Sequence, residues 1–404
     1  MAREATARVS PRGDIHGWRW LSAVDSVLCQ CRLKSDRMIT RISVAHMGKP
    51  NINSAYTFAL AFSVGLGEKS ALKFYRCFPH YDDWRSSSDE QRLRLKEQLG
   101  PRARMDVFSM NWDDVLADAS SRIDRNLHQG ISVLTIGDEM YPKLLRLIPD
   151  PPLVLFVKGC VASLSVTLSI AVIGTRQPTE RGQEVASRIA RSLAGKGCCI
   201  VSGLAAGIDT AAHKGALEAK GQTVAVFGTP LDKVYPAENK ELANKILDSE
   251  GAWISETPPG GSTHRNSFVL RDRIQSGLSS LVIPVQTDVV GGTMHTVRFA
   301  SQQSRLLFCP RPIVGEEDKP QYAGIHELIR SGVAQSFNGG NYDEIVDAAK
   351  ERTLLLLHGK PAKTSSAHSE GTFYEPKEVD AGYDKKSHRF KTAERQQFGQ
   401  FKLF

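Results

Sequence analysis

Along the chain, short apolar runs alternate with segments whose apolar positions recur every three or four residues, most sharply between Ile170 and His213. Two apolar runs, Ile170–Gly174 and Cys198–Gly203, each end in a loop rich in Gly, Thr, Ser and Arg. Between them Val185, Ile189 and Leu193 recur every four residues with Ala186 and Ala190 beside them, the apolar face of one helix. Strand, crossover helix and parallel strand make a βαβ unit, and its ligand site lies at the carboxyl ends of the strands. Further strands are predicted at Ser132–Ile136, Leu153–Val157, Thr223–Gly228, Ala252–Glu256, Ser280–Val285 and Leu306–Cys309. Helices near Tyr141–Leu147, Asp209–Lys220, Asn239–Asp248, Arg271–Leu278, Thr293–Gln303 and Gly324–Arg330 separate them. Such alternation predicts the α/β class: an extended Rossmann-like parallel sheet with helices on both faces.

Upstream, from Ser54 to about Asn126, the period is helical throughout, with Ala55, Phe58, Ala59 and Phe62 on one face. Gly65-Leu66-Gly67 leads into a helix over about Glu68–Phe78. These letters fit a helix-hairpin-helix turn, which presents backbone N–H groups to a DNA phosphate, and equally a plain interhelical turn. The expected organisation is an extension of uncertain order (1–50), a small helical domain, helix-hairpin-helix or SAM-like (51–128), the Rossmann-like domain (129–350), and a disordered tail (351–404). The tail carries Lys, Ser, Thr and Gly with few apolar residues.

Composition narrows the partners. With 404 residues and 41% hydrophobic content the chain can build two or three domains with real cores. Its 52 basic and 44 acidic residues leave a formal charge of +8, which suits a polyanionic partner. The seven cysteines show no CxxC or Cys–His ligand spacing, and Cys198 and Cys199 fall in an apolar strand, where reduced thiols act as small apolar groups. No metal site is expected. No apolar run is long enough to span a bilayer and the first residues lack a secretory core, so a cytoplasmic protein with no membrane partner is expected.

The loops carry the chemistry. Gly174 opens GTRQPTERG, so the GxGxxG of a dinucleotide site is absent, and so is the GxxxxGK[ST] of nucleoside triphosphatases. Hydride transfer and ATP hydrolysis lose weight, and neither a cofactor nor a catalytic residue is expected. What remains is a line of anion-receiving loops along one sheet edge: Gly174-Thr175-Arg176, then Ser202-Gly203 with Gly207, then Arg265, Arg271 and Arg273, then Gly292-Thr293. Several phosphates laid across successive strand ends fit this line better than one pyrophosphate in one crevice. Asp209 reads as a helix N-cap, His213 as a core residue bonded to a backbone carbonyl, and Asn239 as a second N-cap.

Taken in order, GTRQPTERG, SGLAAGIDTAAHKGAL, VFGTPLDKVYPAENKEL, ISETPPG and RDRIQSGLS resemble the successive motifs of the DprA (Smf) family of DNA-processing proteins. YPKLLRLIPDPPLVLFVKG upstream and GIHELIRSGV downstream extend the likeness over about residues 131–335. The resemblance implies a non-enzymatic protein that binds single-stranded DNA, forms a homodimer and assists loading of the RecA recombinase during natural transformation. It places Arg176 as the DNA-binding arginine of the first loop, with Arg271 and Arg273 as the basic pair of an RNRI motif. The chain departs from the pattern at Asp272 (Asn in the motif), Val269 (Pro), Gln286 (Glu) and Ser304 (Gly). No winged-helix pattern follows. Two alternatives stay open: a phosphoribohydrolase-like enzyme, whose PGGxGT loop is echoed by VVGGTMHT at 289–296, and a diverged relative that senses nucleotides or acts in defence.

Overall fold

The apolar runs assemble into one nine-stranded sheet in the computed structural model, which describes residues 50–100, 105–166, 168–264 and 266–359. Nearly all of the expected N-terminal extension, the tail from residue 360, and Arg265 lie outside the described residues. Among the described residues five helices come first: α1 (Ile52–Phe62), α2 (Glu68–Cys77), α3 (Tyr81–Arg85), α4 (Asp89–Leu99) and α5 (Trp112–His128). Then β1 (Ile131–Thr135), α6 (Lys143–Arg146), β2 (Val154–Gly159), β3 (Ser169–Ile173) and α7 (Glu180–Gly195) follow. The chain continues through β4 (Cys199–Ser202), α8 (Ile208–Glu218), β5 (Thr223–Val226), α9 (Lys240–Asp248) and β6 (Ala252–Ser255). It ends with α10 (Ser267–Leu278), β7 (Leu281–Pro284), α11 (Thr293–Gln302), β8 (Leu306–Pro310), α12 (Ala323–Arg330), β9 (Gln335–Phe337) and α13 (Tyr342–His358).

Strand order is β1-β2-β6-β5-β4-β3-β7-β8-β9. From β6 to β9 every pairing is parallel, with Ile170 opposite both Ile200 and Leu281. The order reverses beside β3: β4 lies on one side of it and β7 on the other, so this is the switch point at which α/β sheets open a crevice. β2 departs from the parallel direction of the other strands. It runs antiparallel to both β1 and β6. Apolar patterning sets the faces of a strand but carries no information on its direction.

Alternation along β3 separates two cores. Ile170 and Val172 point into one cluster with Ile189 and Leu193 of α7, while Ala171 and Ile173 join the other. That second cluster also takes in the N-terminal helices. Phe58 and Phe62 of α1 set their rings 6.4 and 5.7 Å from that of Phe156 in β2, so helices and sheet share a continuous interior. Asn51 starts α1 by accepting from Ser54 N at 2.8 Å. At the other end, α13 runs past residue 350 to His358. Asp343 and Glu344 occupy its first turn, where the helix dipole favours them, and Ile345, Val346 and Ala349 are buried. Among the described residues no helix is long and apolar enough to cross a membrane.

Candidate nucleic-acid interface

At the carboxyl edge of the parallel strands the loops after β3, β4 and β7 meet α10 and α11 around a cavity of about 550 Å³. Gly174, Thr175, Arg176, Arg271, Gly292 and Thr293 all line it, so six of the residues expected from sequence converge. A smaller cavity of about 120 Å³ adjoins it and is bounded by Gly203 and Tyr235; Arg176, Phe268 and Arg271 are common to both.

Close packing explains the glycines. A Cβ at Gly174 would lie 2.5 Å from Cγ1 of Ile208, and one at Gly203 would lie 1.5 Å from Nη1 of Arg271. Gly207 has φ +83°, the left-handed region open to glycine at least cost, and starts α8. Leu204, buried in the same loop, also takes a positive φ of 57°, a strained setting for a branched side chain. Asn239 holds it there. This asparagine is the N-cap residue of α9 but makes no side-chain cap bond there; its Nδ2 donates to Leu204 O and to Thr210 Oγ1, both at 2.8 Å.

Several expected donors are already used within the fold. Ser202 is wholly buried and its hydroxyl donates to Val172 O at 2.7 Å, so it braces two strands. Thr175 N donates to Gln286 O at 2.8 Å. The Gly203 N–H donates to Asp209 Oδ2 at 3.1 Å, and Gln275, with its amide oxygen turned inward, accepts from the same N–H at 2.6 Å. Asp209 therefore clamps a loop, and the N-cap of α8 is Gly207. His213 is a core residue as expected, with a different partner. Its Nδ1 lies 2.7 Å from Thr223 Oγ1, whose own proton goes to Ile200 O, so Nδ1–H is the donor. Burial, reinforced by the Arg271 charge, pushes its pKa down to about 3.

The arginines separate. Arg176 is exposed and its guanidinium stands 5.9 Å above the Phe268 ring, within cation–π range. Among the described residues it forms no ion pair. Arg271 is buried: Nη1 donates to Val226 O at 3.0 Å, Gln275 accepts from the same nitrogen, and Nε lies 3.4 Å from Asp272 Oδ1. Arg273 leaves the site altogether, which corrects the expected basic pair. Two helical positions rotate a side chain by about 200°, so Arg273 emerges on the far side of α10. There it pairs with Glu256 at 2.6 Å and Asp150 at 3.2 Å. That cluster opens onto a separate 140 Å³ cavity shared with Glu68 and Lys69, the first residues of α2.

Sequence reasoning passed over Phe268, which stacks obliquely on Tyr235 at 5.4 Å and carries Arg176 above it. An aromatic interleaved with basic residues, as in HRNSFVLRDR, is the signal that points to such a platform. Asp272 also lines the large cavity, its side chain 14% exposed. Burial pushes its carboxyl up to about 7; Arg271 and Arg176 pull it down and Asp209 adds to the rise. Among the described residues no cluster of three His, Cys, Asp or Glu is placed to hold a metal ion.

Comparison with known proteins adds the family. Residues 132–350 match the family model described as DNA recombination-mediator protein A. The chain is 35% identical over 226 residues to the DNA processing protein DprA of Bacillus subtilis, covering 56% of this chain and 74% of that one. To protein Smf of Escherichia coli it is 37% identical over 201 residues, covering 50% of this chain and 52% of that one. It thus spans only about half the length of some curated relatives. The crystal structure of DNA processing protein A from Streptococcus pneumoniae superposes with a TM-score of 0.57 at 27% identity, covering 74% of this chain and 98% of that one.

Proposed function

Because the chain belongs to the DNA recombination-mediator protein A family, we propose that its strand-edge cavity grips the backbone of single-stranded DNA. The protein then acts as a recombination mediator that protects incoming DNA and assists RecA loading in natural transformation. One observation supports the reading above the others. Arg176, exposed and in no ion pair among the described residues, stands over Phe268 at the junction of two cavities, a cation and a π-face held together. Phosphate takes the cation, and an unstacked base takes the aromatic face; that combination suits a flexible single strand better than a duplex, whose bases are hidden.

Energetically the site divides its work. Arg176 is a solvated charge available to a phosphate without breaking any internal pair. Arg271 is pre-oriented by Val226 O and Gln275, so its position costs nothing further when a ligand arrives. Gly292 and Thr293 stand at the start of α11, where the helix dipole favours an anion. Fluorescence anisotropy of oligo-dT against the purified protein across a series of salt concentrations tests the reading. Each phosphate neutralised contributes about −0.7 to the slope of log K against log salt. A slope near zero, or no binding at low salt, would remove DNA from the site. The homodimer and the RecA contact are proposed from family membership, and sedimentation and capture on RecA beads test them.

A further inference from the structure

The large cavity is a curious receptor for a polyanion, since its two guanidiniums, Arg176 and Arg271, face three carboxyls, Asp209, Asp272 and Asp288. Two of these carboxyls are accounted for. Asp209 is held by the Gly203 N–H, and Asp288 is exposed and accepts from Val289 N at 2.6 Å. Asp272 is different. It is largely buried, it lines the cavity, and among the described residues no backbone N–H or hydroxyl donates to it. Its contact with Arg271 Nε, at 3.4 Å, lacks hydrogen-bond geometry, and that Nε has no hydrogen-bond partner.

We propose that Asp272 sets the pH range and the ligand charge that this cavity accepts: with its carboxyl protonated it admits a phosphodiester and donates to one of its oxygens, and ionised it repels it. The inference rests on the DNA reading of the same cavity. The groups that face Asp272 are Arg271 on its own helix, Asp209 on α8, Arg176 on the loop after β3, Asp288 on the loop after β7 and His295 on α11. Of these His295 has its pKa held below the usual histidine value by burial and the Arg298 charge. Asp272 is the carboxyl of this group that lines the cavity, largely buried, with no backbone N–H or hydroxyl donating to it among the described residues, so it is the member placed to take up a proton. Entry of a phosphate adds negative charge beside it and raises its proton affinity further, so ligand and proton bind together.

The test compares the full chain with Asp272→Asn, which keeps the shape and removes the charge, by anisotropy of oligo-dT at constant ionic strength. With the carboxyl titrating near 7, wild-type affinity should fall by about 30-fold from pH 6 to pH 8.5, and the variant should be nearly flat. Other titrating groups are common to both proteins and cancel in the comparison. A second reading needs no variant: calorimetry of wild type at pH 8 in two buffers of different ionisation enthalpy should show uptake of about one proton per bound strand. Equal pH profiles for the two proteins, or binding without proton uptake, would overturn the inference and leave the DNA reading standing. Absence of binding by either protein at every pH would overturn both.

Discussion

Replacing Gly203 by alanine should be far more damaging than its size implies. The added methyl group would sit 1.5 Å from Arg271 Nη1, 2.5 Å from its Cζ and 2.4 Å from the Gln275 amide. Arg271 is only 6% exposed, so it has little room to retreat. Withdrawal breaks its bond to Val226 O and its contact with Gln275, and it removes the cation that offsets burial of Asp209. A hydrogen bond to a charged group contributes about 1.5–3 kcal/mol, so losing two with partial relaxation should cost roughly 3–5 kcal/mol. At about 2–4 °C per kcal/mol for a domain of this order, the melting temperature should fall by roughly 6–20 °C. Gly195→Ala is the matched control: nothing lies within 4 Å of its added methyl, and surface changes of this kind usually stay within about 0.5 kcal/mol. Differential scanning calorimetry of both variants decides the matter. A Gly203→Ala protein that melts with the wild type would mean that Arg271 is not pinned beneath that loop, and the packing argument would be wrong.

Arg273→Met should destabilise the fold by about 3–5 kcal/mol, because it strands the buried Glu256 beside Asp150. The double variant with Glu256→Gln should recover part of that loss in urea melts, and DNA affinity of the folded single variant should match wild type. The raised pKa of Asp272 also has a sign for stability. The folded chain holds a proton that the unfolded chain releases, so the contribution is complete below about 3.8 and is lost as pH rises to about 7. Relative to Asp272→Asn, wild type should lose up to about 4 kcal/mol between those limits; parallel melting curves across this window would refute the assignment.

Much of this was legible from residue types. Val185, Ile189 and Leu193 with Ala186 and Ala190 marked the crossover helix, and Ile189, Leu193 and both alanines are buried where that reading placed them. The place of Arg176 at the cavity was legible because it follows a strand end directly at the switch point. Arg273 was misplaced because the helix expected from Arg271 onward already holds both arginines, and two helical positions turn the second to the far side of the first. The glycine amides were misjudged for another reason. Only tertiary structure reveals that Asp209, six positions on, already occupies the Gly203 N–H. Strand β2 hid its direction, since an apolar run looks the same read either way. The helix α13 hid in a stretch whose Lys350, Glu351 and Arg352 resemble the polar tail beyond it.

The proposed DNA binding requires Arg176 to be a cation open to a phosphate. Salt titration of oligo-dT binding by wild type and Arg176→Ala measures this directly. The variant should bind more weakly to every sequence alike, and its slope of log K against log salt should be shallower by about 0.7, one phosphate fewer. Identical slopes and affinities in the two proteins would contradict it.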